Sequence, residues 1–263
     1  WNIKQEKYWE PNFRIDQFHT EEYFIAELKT ILEETISQQL RSDVPLGTYL
    51  SGGIDSSLVT IMASKLLNKP IKSFSGAFKE GPEFDELKYA RIAANTANAE
   101  LFEIFPTEQE FIDLIPKLIY HLDEPVAGPG LFPQYIVSNL ASKHVKVILG
   151  GQGGDEIFGG YTRYLVAYLE QALKGAIHES NEEAEHIVSL ESILPNLPTL
   201  RQYVPMMKNF WKEGAFEPMD RRYFHLIDRM DSTSEFFHKD FIRERKNETI
   251  FNKFSVYFNN PDT

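Results

Sequence analysis

Val44-Pro45-Leu46-Gly47-Thr48-Tyr49-Leu50-Ser51-Gly52-Gly53-Ile54-Asp55-Ser56-Ser57 runs from a short apolar segment, through a glycine turn, into a helical pattern. The spacing predicts a strand over Val44–Leu50 and a helix from about Ser56 to Leu67. A glycine turn between strand and helix offers backbone N–H groups that no helix carbonyl takes up, at the positive end of the helix dipole. Gly52 and Gly53 let the backbone approach an anion closely. Ser51, Ser56 and Ser57 add hydroxyl donors. Asp55 would repel a bare anion, but it fits a site holding Mg²⁺, which bridges carboxylate and phosphate oxygens. The plainer reading is a surface turn with an acid near a helix start. The full Ser51–Ser57 heptad directly after an apolar strand weighs against it.

Outward from this stretch, strands alternate with helices. Ile71–Phe78, Leu101–Phe105 and Val145–Leu149 read as further strands, with helices over Glu83–Asn98 and Phe111–His121. Ahead of them lies a helix over residues 20–41, with Thr20 as N-cap and Glu21 and Glu22 in its first turn. Phe24, Leu28, Ile31, Leu32 and Leu40 recur at helical spacing. The alternation predicts an α/β fold, a parallel sheet with helices on both faces. Such sheets bind ligands at the carboxyl ends of their strands. From about Tyr161 the pattern is helical and irregular. Glu179–Glu185 reads as a solvated linker or helix face, and Phe210–Phe258 as an aromatic-rich helical appendage whose rings make core. The expected organisation is a sheet domain with its lead helix over residues 1–165 and a helical extension over 166–263.

A second glycine loop follows the last strand: Gly150-Gly151-Gln152-Gly153-Gly154-Asp155-Glu156. Asp155 can supply a second Mg²⁺ ligand across a bound pyrophosphate, although an acidic pair is also ordinary at a helix N-terminus. Neither loop is a Walker P-loop, since no G-x-x-x-x-G-K-[ST] is present. Nor is there a dinucleotide fingerprint, because Glu156 stands where the third Gly of G-x-G-x-x-G would fall.

Composition narrows the classes. Hydrophobic residues make up 42% of the 263, enough for a buried core. A formal net charge of -12 argues against a nucleic-acid surface, which needs clustered Lys and Arg. With no cysteine, disulfides, thiolate metal sites and cysteine nucleophiles are excluded within these residues. No apolar run approaches the roughly 20 residues that span a bilayer. A cytoplasmic address fits.

The motifs resemble those of the asparagine synthetase family. Ser51–Ser57 is similar to the pyrophosphate loop of the PP-loop superfamily, and Ser42-Asp43-Val44-Pro45-Leu46-Gly47 resembles the family's lead-in to it. Phe84-Asp85-Glu86 with Tyr89-Ala90-Arg91 resembles F-D-E-x-x-Y-A-R, and His121-Leu122-Asp123-Glu124-Pro125 resembles H-x-D-E-P. Asp155-Glu156-Ile157-Phe158-Gly159-Gly160-Tyr161 with Arg163-Tyr164 resembles D-E-L-F-G-G-Y-x-R-Y. The Tyr8-Trp9 pair resembles the segment where the synthetase domain begins. These elements come in family order across residues 42–164.

The resemblance implies an adenine-nucleotide alpha-hydrolase-like, PP-loop fold and a two-step reaction. A carboxylate, aspartate or a related acid, attacks the α-phosphorus of ATP; ammonia then displaces AMP to leave an amide. The resemblance places the β- and γ-phosphates at Ser51–Ser57, Mg²⁺ at Asp55 and Asp155, and the adenosine against Leu50, Gly76, Gly150 and Gly151. It implies ammonia from a glutaminase domain of the same longer chain, and leaves a homodimer open. Two departures stand out. Gln152 replaces the Glu of S-G-E-G-A-D-E, which is tied to the amide-forming half; a neutral amide is no general base. Gly128-Pro129-Gly130 replaces the usual D-P-S after D-E-P. The glutaminase Cys, the L-P-x-x-L…E-D-R-x-S-M segment and a later Lys are not found in these residues. The chain therefore reads as a piece of a longer amidotransferase, inactive alone, with a loosely packed tail after about Glu179. A ring-closing β-lactam-type synthetase and a nucleotide-binding module without catalysis are the alternatives. His121 reads as structural.

Overall fold

The computed structural model describes residues 3–9, 16, 18–78, 86–123, 128, 130–178, 193–212, 214–228, 237–238 and 247–258. The chain divides into two units, Phe18–Ile157 and a second made of Trp1–Gln17 with Phe158–Thr263.

The first unit holds α1 (Glu21–Gln39), β1 (Leu46–Tyr49), α2 (Ile54–Leu67), β2 (Lys72–Gly76), α3 (Leu87–Ala97), β3 (Glu100–Ile104), α4 (Glu108–Leu122), α5 (Leu131–Ser142), β4 (Val147–Leu149) and α6 (Gly154–Phe158). The four strands are parallel in the order β3-β2-β1-β4. The chain thus steps outward from β1 to β3 and returns to the other side of β1. That reversal opens a crevice at the carboxyl ends of β1 and β4.

Alternation along β1 sorts the two faces. Thr48 turns to α2, its hydroxyl 3.0 Å from that of Thr60. Tyr49 turns to α5, its hydroxyl 2.7 Å from that of Ser138. On the first face Ala90, Ala93 and Ala94 of α3 pack with Leu50, and Ile36 of α1 packs with Ala63 and Ile71. On the second, Val137 and Ala141 of α5 pack on Phe74, and α4 closes over α5 through Leu118, Phe132 and Ile136. Helices therefore cover both faces of a parallel sheet, as the alternation predicts.

Local chemistry sets the helix ends. Thr107 and Glu110 form a reciprocal capping box that starts α4 three residues before the predicted Phe111. α2 and α3 stop where Asn68 and Asn98 adopt left-handed backbone, at φ 50° and φ 48°, which Asn tolerates better than most residues. Glu83–Asp85, part of the predicted third helix, lie outside the described residues.

The sequence pattern places no helix between Phe111–His121 and Val145–Leu149, where α5 lies. Pro133 sits in the first turn, where its missing N–H would have had no helical acceptor anyway. Of the residues at helical spacing in α1, Phe24, Leu28 and Ile31 stay 38 to 54% exposed; the buried position of this helix is Ile36, which that set does not include.

The second unit contains α7 (Thr162–His178), a 3₁₀ segment Leu194–Tyr203, α8 (Val204–Lys212), α9 (Met219–Ile227) and α10 (Asn247–Phe258). Val166, Leu169, Ile193, Leu200 and Phe210 form its core. Glu170 and Arg222 are both fully buried beside it and paired. The described part of this stretch is therefore not loosely packed. Its aromatics divide: Phe210 is core, Tyr223 and Phe224 contact Phe254, and Trp211 and Phe216 are more than a third exposed. Phe236 and Glu179–Glu185 lie outside the described residues.

Candidate functional site

Pairing of β1 with β4, Thr48 opposite Leu149, sends the two glycine loops out side by side. They touch at glycine. A Cβ on Gly151 would stand 2.7 Å from the Ser56 nitrogen and 2.8 Å from the Asp55 Cβ. A Cβ on Gly154 would run into the Asp55 carboxylate. Any side chain there would wedge the loops apart. Gly52 meets a different demand: its φ of 100° lies in the region that favours glycine, and its Cα faces the Glu86 carbonyl and the Ala90 N–H of α3.

The loop hydroxyls divide in a way the sequence does not show. The Ser51 and Ser56 hydroxyls lie 2.9 Å apart. The Ser51 N–H donates to Ser56 Oγ at 3.2 Å, and the Gly53 N–H to Ser51 Oγ at 3.2 Å. Ser56 Oγ also reaches the Gly53 carbonyl at 3.2 Å. These two serines brace the turn instead of facing outward as free donors. Among the described residues, no protein acceptor takes the N–H groups of Gly52, Ile54, Asp55 and Ser56, and none pairs with the Ser57 hydroxyl. That leaves four backbone donors and one hydroxyl for an anion.

Beside the loops lies a cavity of about 310 Å³. Tyr49, Leu50, Phe74, Ser75 and Gly76 line it from the strand ends, and Ser51 and Gln152 from the loops. α5 supplies Gly130, Pro133, Gln134 and Val137, one face of a helix. None of these residues is ionisable apart from the Tyr49 phenol. The space suits an uncharged ring with polar edges, next to a loop suited to an anion. Ser75 is buried, and among the described residues its hydroxyl has no partner.

Of the residues singled out from the sequence, Leu50, Gly76, Ser51 and Gln152 meet at this cavity, and Gly151 meets Asp55 and Ser56. The Gln152 side-chain oxygen folds back against Gly150. Asp155 stands exposed in the first turn of α6. Arg91 makes a two-pronged pair with Glu103, at 2.7 and 2.8 Å. Those bonds hold the Glu103 carboxyl below its ordinary range, against burial, which pushes it up. His121 is exposed at the end of α4. Phe84, Asp85, Glu124 and Pro125 lie outside the described residues. The α5 face was missed, although Gly130, Pro133, Gln134 and Val137 carry the i, i+3, i+4, i+7 spacing.

Among the described residues, no group of three or more His, Asp or Glu forms a metal cage. Asp55 and Asp155 are oxygen donors of the kind Mg²⁺ takes singly or in pairs, without such a cage. This ion commonly takes one or two carboxylates and completes its shell with water and substrate phosphate oxygens.

Comparison with known proteins then decides the family. The asparagine synthase family matches residues 27–249. The chain belongs to the asparagine synthase family. Asparagine synthetase (glutamine-hydrolyzing) 1 of Bacillus subtilis is 36% identical over 163 residues, 62% of this chain and 25% of that protein. Asparagine synthetase B (glutamine-hydrolyzing) of Escherichia coli is 33% identical over 148 residues, 51% of this chain and 27% of that protein. The chain spans between 21 and 32% of the length of the curated relatives it matches. Among solved structures, NH3-dependent NAD synthetase from Campylobacter jejuni aligns at a TM-score of 0.39 and 14% identity, over 88% of this chain and 95% of that one. The α/β assignment rests on the strand order, not on that likeness. No described helix is long and apolar enough to cross a membrane.

Proposed function

We propose that this member of the asparagine synthase family carries the ATP-binding, adenylating part of an amide-forming ligase. One observation supports it above the others: two glycine loops converge at the β1/β4 reversal, with Asp55 of one against Gly151 and Gly154 of the other. The adenine ring would enter the neutral cavity at Leu50 and Gly76. The β- and γ-phosphates would take the free N–H groups of Gly52, Ile54, Asp55 and Ser56 and the Ser57 hydroxyl. Ser51 and Ser56 hold that turn in shape.

Asp55 and Asp155 would hold Mg²⁺, which when bound neutralises charge on the phosphate oxygens. The substrate carboxylate, aspartate or a related acid, attacks the α-phosphorus, and the bond to the leaving pyrophosphate breaks. Donors fixed before the reaction stabilise the charge that gathers on that leaving group. Ammonia then attacks the acyl carbon of the adenylate and AMP departs. A glutaminase domain of the same longer chain is proposed as the ammonia source; the word glutamine-hydrolyzing in the relatives' names supports glutamine as the origin of the ammonia. A cytoplasmic location completes the reading, with a homodimer left open.

Gln152 favours a second reading, a nucleotide-binding module without catalysis, since an amide offers no base to the amide-forming half. ATP–pyrophosphate exchange by the full-length protein separates the two. Exchange that requires both Mg²⁺ and a carboxylic acid supports adenylation; ATP binding without exchange supports the module and overturns adenylation.

A further inference from the structure

Behind the first loop, three fully buried residues place hydroxyls where the β1–α2 interface could have been sealed by methyls: Thr48 of β1, Thr60 of α2 and Ser73 of β2. They are linked. Ser73 Oγ lies 2.8 Å from Thr48 Oγ1, and Thr48 Oγ1 lies 3.0 Å from Thr60 Oγ1. Thr60 Oγ1 reaches the Ser56 carbonyl at 2.8 Å. A carbonyl has no proton, so Thr60 must donate to it. The Thr60 hydroxyl faces both acceptors, the Thr48 hydroxyl and the Ser56 carbonyl, and shares its one proton between them, while either hydroxyl can donate between Thr48 and Ser73. The three hydroxyls thus join the sheet to the first turn of α2 through directional bonds.

The chain ends on the residue that braces the loop. Ser56 takes Thr60 at its carbonyl, while its own hydroxyl holds Ser51 and Gly53. The backbone around it carries the free N–H groups of the anion cradle. We infer that Thr48 and Thr60 are positioning residues for that cradle. They touch no ligand; they fix the rotation of α2's first turn against β1, and so the direction in which its N–H groups point. Leucine or valine would fill the same space without fixing that rotation, because apolar contact is non-directional.

This inference rests on the nucleotide reading of the site, and the test keeps the two apart. ATP with Mg²⁺, and adenosine alone, are titrated calorimetrically into the protein and its Thr60→Val, Thr60→Ser and Thr48→Val variants. Adenosine fills the cavity but does not reach the cradle. Thr60→Val is expected to weaken ATP about tenfold and leave adenosine unchanged, with Thr60→Ser restoring ATP binding. Thr48→Val keeps the bond to Ser56 and is expected to weaken ATP about threefold; it carries the test if Thr60→Val does not fold. Equal losses for ATP and adenosine, or unchanged ATP affinity with a lowered melting temperature, would overturn the inference and leave the threonines merely structural. No ATP binding by the unaltered protein sinks the nucleotide reading and this inference with it.

Discussion

The carboxylate of Asp55 lies against the Cα of Gly154, so that a Cβ there would stand 2.5 Å from Oδ2 and 2.8 Å from Oδ1. At Gly151 the obstacle is backbone, the Ser56 nitrogen, which cannot swing aside. Gly151→Ala should therefore force the loops apart, weakening ATP at least tenfold and costing about 1–3 kcal/mol of stability, as overpacking does. Gly154→Ala displaces only a carboxylate and should cost less stability. It should still reduce the Mg²⁺ dependence of ATP binding. Calorimetry and thermal melts read both. Wild-type affinity in both variants would mean that the loops share no ligand.

Asp55→Asn and Asp155→Asn each keep the shape and remove the charge a hard cation needs. In the full-length protein, ATP–pyrophosphate exchange should fall roughly 10²–10³-fold in each, the loss typical of one electrostatic contact in a transition state. Far-ultraviolet circular dichroism should not change. A variant that retains near-normal exchange removes that residue from the metal assignment.

The sequence carried the fold and the loops because both are written locally. Strand, glycine turn and helix follow one another within Leu46–Leu67, and the fold class follows from repeating that pattern. What lay hidden depends on contacts distant in sequence or on choices between equivalent donors. Ser51 and Ser56 look the same in sequence as Ser57, yet only the first two are consumed inside the turn. Gln134 enters the cavity on α5, whose Gly and Pro start conceals a helix. Helical spacing in α1 marks Phe24 and Leu28 no differently from its other apolar positions, but α2 covers this helix near Ile36 and not at Phe24.

The Arg91–Glu103 pair ties α3 to β3 and gives stability a sign with pH. Hydrogen bonds from Arg91 hold the Glu103 carboxyl below its ordinary value in the folded protein. A depressed carboxyl contributes stability that is full above the unfolded pKa, about 4.3, and is lost as pH falls through the folded value. Arg91 is more than half exposed, so the contribution should be about 0.5–1 kcal/mol. Glu103→Gln should lower stability by that amount at neutral pH and by progressively less as pH falls below the unfolded value. Urea unfolding at pH 7 and pH 3 makes the comparison; an equal loss at both would show that charge is not the cause.

Glu170 and Arg222 give the second unit a contact of another kind. Both are fully buried. Arg222 donates to Glu170 through Nε at 2.6 Å and through Nη2 at 2.5 Å, and to the Phe210 carbonyl at 2.6 Å. The Phe216 N–H adds a bond to the same carboxylate at 3.2 Å, and the guanidinium lies 3.9 Å from the centre of the Phe210 ring. The charges are thus satisfied from several sides, which is the condition under which burial can be tolerated. Arg222→Met would leave the Glu170 carboxylate dry and unpaired, at a cost of about 3–5 kcal/mol. Removing both charges, as Glu170→Leu with Arg222→Met, should cost clearly less than Arg222→Met alone, since nothing charged is then stranded. Urea unfolding of the two variants tests the difference. If the double variant is less stable than the single, the carboxylate's own bond to the Phe216 N–H carries the energy, and the ion pair does not.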